Sequence, residues 1–486
     1  MKLMQEAPDV ELLDEIERQW QIWAAPFDES SRFVGNTSDS MFIRNSSLVS
    51  PRPFRCLYWE RKFRTMLGQP LASRLTMPIN LFHGVVFEVK LRGKELSDEN
   101  VDCIISIPSI HRVEVHHIDA TDQTFWPRLG QLIVQAPNLM ELCLLHSKLL
   151  TLSPLVDALG HRSERPLDML EFVSIKMRSS VFVELVHLVS SSKLIRSLRM
   201  TNSINDLDAS LLVPAIASLD TVLLPFNDLE DDVLATISTS MTTQRLCVSN
   251  NCFTNVSALA RCANLVQLDL SHNELGNAGI ATVASVCLPA MSRLTNLYVY
   301  NCAFSAVGAA ALFAKAVSSS TLLVLNAGRN FLGVEADDVL VPFLNHNASV
   351  THLHLNYIGL GHDISDSLAA AFSQNSHLKQ ISLGENRLKD TGAAKLFAAL
   401  PFPLEALDFS GNLISNDGLK SIVAHISELR QQPKRQRSAH IIQELNLRDN
   451  VFDVEHLHRH AMALATSVSN IYSNEYRPKT YDDNLC

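Results

Sequence analysis

Apolar and polar positions alternate along the chain in a pattern that restarts at intervals. In LVQLDLSHNELGNAGI, residues 265–280, Leu265, Leu268, Leu270 and Leu275 are apolar and Asn273 stands between the last two. The spacing of the first three predicts a short strand, and Gly279 and Ile280 open an Ala-rich segment of helical period. Taking the first apolar place as marker, units begin at Val86, Ile110, Leu139, Leu170, Ile195, Leu219, Thr243 and Leu265. They continue at Leu294, Leu322, Val350, Leu378, Leu404 and Ile442, fourteen in all. From Leu265 to Leu378 the spacing is 28 or 29 residues. One such unit cannot bury its own apolar side, so copies must stack on one another.

Each fixed place has a physical task. The first, fourth and sixth point inward from the strand. The ninth is Asn227, Asn251, Asn273, Asn330, Asn386, Asn412 and Asn450 in seven units. An amide donates and accepts at once, so a stack of them satisfies backbone groups that the turn leaves unpaired. Cys302 takes this place once, and Lys94, Ile118, Ser147 and Ile358 depart from it. Ile358 cannot hydrogen-bond through its side chain, which predicts a locally different turn. Gly279, Gly308, Gly392 and Gly418 fit a tight entry into the outer helix, and Val283, Leu312, Leu396 and Ile422 follow on its inner face.

The motif LxxLxLxxNxL, the later Gly and this period resemble the leucine-rich repeat family, in its ribonuclease-inhibitor-like class. The resemblance covers residues 86–455. It implies a right-handed α/β solenoid shaped as a horseshoe, with parallel strands on the concave side and helices on the convex side. It also implies a protein that binds other proteins without catalysing a reaction. Ran GTPase-activating proteins share this repeat class, so regulation of a small GTPase is the alternative. Those proteins end in a long acidic tail, whereas this chain ends in the short, mixed YRPKTYDDNLC. An F-box-type ubiquitin adaptor is a weaker third reading.

Residues 1–85 lack the repeat. Leu12, Leu13, Ile16, Trp20 and Trp23 share one helical face, and Trp59, Phe63, Met66 and Leu67 share another. These helices are expected to cap the open edge of the solenoid; a separate interaction arm is the other reading. Between Leu404 and Ile442 the period lengthens around SELRQQPKRQRSAH, a basic insert expected to be a surface loop. A final helix over DVEHLHRHAMALAT and a polar tail close the chain, with residues 456–486 forming the C-terminal cap and tail.

Composition narrows the function classes. Apolar residues make up 47%, enough to fill a continuous core. Net charge is −10 and the pI near 6.0, which disfavours a general nucleic-acid partner. No run reaches the length of a membrane span, and the acidic N-terminus has no apolar signal core. Cysteines scattered among repeat places read as reduced thiols, so a cytoplasmic monomer is expected. No nucleotide-binding, kinase or hydrolase motif is present in the sequence. His456 with His460, and Cys247 with Cys252, lack the further ligands of a metal motif, so neither a metal nor a cofactor is expected.

The candidate site follows from strand alternation. Places three, five and seven face away from the core. They are Asn296, Tyr298 and Tyr300 in one unit, Val324, Asn326 and Gly328 in the next, and His352, His354 and Asn356 in the third. Place eight adds Asn301, Arg329 and Tyr357 at the rim. From this patch Tyr298, Tyr300, Asn326, Arg329, His352, His354 and Tyr357 are taken as the protein-binding residues, Tyr and Arg being enriched at binding hot spots. A solvated face whose aromatics pack only on each other is the competing reading. A weaker second patch comprises Phe172, Met177, Leu223 and Phe226.

Overall fold

The computed structural model describes residues 81–472, with interruptions at 83–84, 87, 106–109, 120–121, 123, 137, 163–166, 206, 432–440 and 466–467. The helices expected over residues 12–23 and 59–67, most of the basic insert and the tail after residue 472 lie outside the described residues. The described chain falls into two compact units, one reaching Asn251 and the other beginning at Cys252.

In the first unit seven strands lie parallel in chain order. They are β1 (Glu88–Arg92), β2 (Arg112–His116), β3 (Glu141–Leu145), β4 (Met169–Val173), β5 (Ser197–Thr201), β6 (Thr221–Leu223) and β7 (Arg245–Cys247). Strands β1 to β6 are each followed by a helical segment, such as Phe125–Gln135 after β2 and Ser179–Ser191 after β4. Place four forms a buried row through Val89, Val113, Leu142, Leu170, Leu198 and Val222.

That row corrects one register. Leu170 pairs with Leu142 and Leu198, so it occupies place four, and place one is Leu167, bridged to Ile195. Leu167 and Leu170 are both leucines three apart, so either could open a unit. Only the cross-strand pairing separates them. With Leu167 as place one, Phe172 falls at place six and is 0% exposed. Leu223 is closed to solvent at 1%, so of the second patch only Phe226 and Met177, both half-buried, reach the surface.

In the second unit eight strands are parallel. They are β8 (Gln267–Asp269), β9 (Asn296–Tyr298), β10 (Val324–Asn326), β11 (His352–His354), β12 (Gln380–Ser382), β13 (Leu404–Asp408), β14 (Ile442–Asn446) and β15 (Val468–Tyr472). β15 pairs with β14 through Leu445↔Ile471, although the sequence reads its residues as the start of the tail. The predicted final helix spans Val454–Ala465. Helices from successive repeats pack side by side. The glycines at helix entry have a steric cause: a Cβ on Gly308 would lie 2.5 Å from Ile280 Cγ2, and one on Gly279 would lie 2.6 Å from the Thr254 carbonyl.

The place-nine amides stack as their chemistry requires. Asn386 is fully buried. Its Oδ1 accepts the N–H groups of Ile358 and Gly359 at 3.0 and 3.1 Å, and its Nδ2 donates to the carbonyls of Leu355 and Leu383 at 2.8 and 3.0 Å. Asn412 repeats this toward Asn386, and Asn450 toward Asn412. In the first unit Asn251 takes the N–H of Asn227, and Asn227 that of Ser203. Serines substitute at Ser147 and Ser203, whose hydroxyls accept from Ile118 and Ile175 and donate to Leu145 and Thr201. Cys302 Sγ contacts the Leu270 carbonyl at 3.2 Å. At Ile358 the side chain makes no such bond, yet the turn keeps the form of its neighbours. Its main-chain carbonyl accepts from Leu332 and Gly333 as that of Asn386 accepts from Gly361. Gly359 and Gly361 have positive φ as Arg387 and Lys389 do one repeat on, so the locally different turn expected there is not seen.

Two substitutions test this account with opposite signs. Asn386→Ala removes a buried group serving several backbone partners and should cost roughly 2–4 kcal/mol in urea denaturation. Thr243 stands at an apolar first place, is 1% exposed, and its hydroxyl finds no partner among the described residues. Thr243→Val should therefore raise stability by about 1 kcal/mol.

Candidate functional site

Registered pairing brings the expected residues of the second unit together in rows. Tyr298, Asn326 and His354 pair directly at place five, and Asn296, Val324 and His352 at place three. Place seven carries Tyr300, with Gly328 beside it. A Cβ at Gly328 would lie 3.0 Å from the Tyr300 ring, so the missing side chain leaves the tyrosine its room. Place eight sets the rim. His272, Asn301, Arg329, Tyr357 and Glu385 all adopt positive φ, from +52° to +58°. This left-handed residue turns the chain out of the strand and splays its side chain at the strand's end.

The seven residues divide by depth. Arg329 and Tyr357 are exposed, Tyr357 by 46%, with the guanidinium 5.9 Å from the Tyr357 ring centre. That separation is within cation–π range. Tyr300 is half-buried, with its ring 5.3 Å from that of His272. Asn301 Nδ2 meets His272 Nδ1 at 2.9 Å. These groups make one continuous rim. Tyr298, Asn326 and His352 form a half-buried floor. His354 lies deepest at 8% exposed, its Nδ1 3.0 Å from Ser382 Oγ.

The floor is held by short polar contacts. Asp269, Asn326 and Asp408 each accept the N–H two residues on, from Ser271, Gly328 and Ser410, at 2.9 to 3.1 Å. Asn446 does the same for Arg448 at 3.2 Å, so a carboxylate or amide at place five finishes the strand in four units. Burial raises the Asp408 carboxyl above its ordinary range, while bonds from Ser410 and Asn446 work against that rise. Burial likewise raises the Tyr298 and Tyr300 hydroxyls, so both stay neutral donors at physiological pH. Burial lowers the imidazoles of His272 and His352, and with His352 nearby pushes His354 down to about 4.

His272 was not among the residues singled out from the sequence. Its signal was there, because it holds the same eighth place as Asn301, one unit earlier. A second group was hidden by the register at Leu170. On the strand face of the first unit, Arg112 lies 2.8 Å from both Glu141 and Glu171 and 3.0 Å from Glu114. Lys90 pairs with Glu114 at 2.8 Å and Arg199 with Glu171 at 3.3 Å. Burial opposes charge on Glu114 and Glu171, yet hydrogen bonds from His116 and Lys90 with the nearby Arg112 hold Glu114 below its usual range, and Arg199 and Arg112 hold Glu171 below it. The charges balance one another across neighbouring strands, which is the cross-strand pairing that stabilises a sheet.

Other residues weighed for chemistry are placed differently. Cys247 is buried and Cys252 exposed, so their sulfurs do not share an environment. His456 Nδ1 meets the Arg459 guanidinium at 2.9 Å. No group of three or more candidate metal ligands occurs among the described residues. No helix among them is long and apolar enough to cross a membrane.

Comparison with known proteins agrees with this geometry. A leucine-rich repeat family model matches residues 261–284, 374–397 and 402–423. The pig (Sus scrofa) ribonuclease inhibitor is 30% identical over 178 residues, 36% of this chain and 39% of the inhibitor. The mouse (Mus musculus) NACHT, LRR and PYD domains-containing protein 12 is 28% identical over 149 residues, 30% of this chain and 14% of that protein. The bovine (Bos taurus) NACHT, LRR and PYD domains-containing protein 3 is 29% identical over 156 residues, 32% of this chain and 15% of that protein. The chain thus spans well under half the length of these relatives.

The depressed imidazole gives a pH test. The ordinary value for His354 is 6.5 and the folded value about 4, so within that window the unfolded chain binds a proton that the folded chain refuses. Stability should fall as pH drops through the window, and His352 adds with the same sign. Urea midpoints should show a loss on the order of 2 kcal/mol between neutral pH and about pH 5. His354→Gln should reduce that slope.

Proposed function

The chain is a leucine-rich repeat protein of the ribonuclease-inhibitor-like class, and on that premise we propose that it is a non-catalytic scaffold. It holds a protein partner on the strand face of the second unit, the concave side in the horseshoe that the class implies. The observation carrying this reading is the rim of Tyr300, Arg329 and Tyr357, joined by His272 and Asn301. Large rings with polar edges lie there beside a guanidinium, Tyr357 46% exposed and Tyr300 and His272 half-buried, held by packing against one another. Such groups bury much area on binding and lose little side-chain freedom. Tyr298, Asn326, His352 and His354 supply the floor against which a partner's side chains settle.

Cys143, Cys247, Cys262, Cys287 and Cys302 are buried and outside any disulfide, which suits a reducing, cytoplasmic setting. The working form is a monomer, with neither nucleic acid nor membrane as partner.

The test uses the full chain as bait. Combined Tyr300→Ala, Arg329→Ala and Tyr357→Ala should weaken capture of the main protein partner at least about tenfold. Circular dichroism should be unchanged, and Val307→Ala on an exposed helix surface should have no effect on capture. Undiminished capture by the triple variant rejects the rim. Stimulated GTP hydrolysis by a small GTPase would replace the scaffold reading with the regulator one.

A further inference from the structure

The turns that follow β2, β3 and β4 enclose an open recess of about 430 Å³, lined by His117, Ile118, His146, Ser147, Lys148, Ser174 and Lys176. Stacking of repeats collects its polar groups. His117, His146 and Ser174 are the eighth places of successive units, all with φ near +50°. Lys148 and Lys176 are tenth places, paired in register within a short parallel ladder. The His117 and His146 rings stack at 5.7 Å with an interplanar angle of 28°.

We propose that this recess binds a phosphate monoester. Four nitrogen-bearing side chains converge on it, and all four are exposed. Lys148 and Lys176 stand directly opposite each other, which is unfavourable for like charges in neighbouring strands. Among the described residues neither lysine forms an ion pair. The strand face of the same repeats provides the contrast, because Lys90, Arg112 and Arg199 are each matched there by a glutamate. Asp119, the acidic residue at the tenth place before Lys148, does not line the recess. His116 is turned instead toward Glu114, at 3.5 Å.

The floor fits an oxyanion. Ser174 Oγ accepts from Asn202 Nδ2 at 3.3 Å, which leaves its own hydroxyl proton to give. Ser147 Oγ is committed to Ile118 and Leu145 and acts as a rigid wall. Two ammonium groups, two imidazoles and a hydroxyl offer more donors than one carboxylate can accept. A phosphate monoester brings up to two charges and three strong acceptor oxygens. The volume leaves space for the first atoms of the group that carries it. The recess belongs to the first unit, and the rim proposed for protein binding to the second.

The experiment titrates the full chain, with isotope-labelled histidine, against glycerol 2-phosphate and against a phosphoserine peptide with its unphosphorylated twin. A short oligothymidylate serves as a diester. Saturable shifts of the His117 and His146 resonances by either monoester, absent with the unphosphorylated peptide, are expected. Tighter binding of the phosphopeptide identifies a protein-borne phosphate; equal binding identifies a small ester as sufficient. Lys148→Gln with Lys176→Gln should weaken binding about tenfold or more with circular dichroism unchanged, since both side chains are exposed. The proposal is overturned if neither monoester gives a saturable shift, if the double variant binds as tightly as wild type, or if the oligothymidylate binds more tightly than both monoesters.

Discussion

The amide at the ninth place, present in seven repeats, is the constraint on which the architecture rests. The chain must leave the strand sharply, and the turn strands N–H and C=O groups away from water. Asn386 meets this demand in both directions, accepting from the preceding turn and donating to strand carbonyls. Where the side chain is shorter, the bonding thins but its direction survives, as at Ser147, Ser203 and Cys302. Where it is absent, at Ile358, the main-chain bonds and left-handed residues common to the neighbouring turns carry the chain through. Leucines fill the core, but the amides fix the interval at which the strands are laid down.

The fold was legible wherever hydrophobic spacing and the ninth-place amide agreed, as they do at Leu265, Leu268, Leu270 and Asn273. It was ambiguous where two leucines stood three apart with no amide to arbitrate. Leu167 and Leu170 are such a pair, and Ile175 occupies the ninth place there. The last strand escaped notice for a different reason. Val468 and Ile471 carry the first and fourth places, but nothing after them shows a helix, so the segment read as tail. Thr243 shows the converse, a polar residue whose register was correctly read from its neighbours.

For the site, alternation predicted which side chains share the strand face. It could not predict how deeply each would sink. His354 and Tyr298 occupy the same row, yet the imidazole is nearly sealed against Ser382 while the phenol stays half open. Depth is set by the size of the neighbours in adjacent strands, which a single repeat does not reveal. The Arg112 and Glu171 network was invisible until Glu171 moved from the second place to the fifth. Counting outward from an amide would have found it only if that unit possessed one.

The left-handed residue before the ninth place carries a consequence for variation. In order these residues are His117, His146, Ser174, Asn202, Phe226, Asn250, His272, Asn301, Arg329, Tyr357, Glu385, Gly411 and Asp449, all at positive φ. Valine, isoleucine, threonine and proline are absent from the series. Branching at Cβ, or a ring closing onto the backbone nitrogen, is incompatible with that dihedral. The rim of this scaffold therefore speaks with a restricted alphabet. At each of those sites four of the twenty amino acids, roughly a fifth, would strain the turn, and the strain would compound over every site randomised at once.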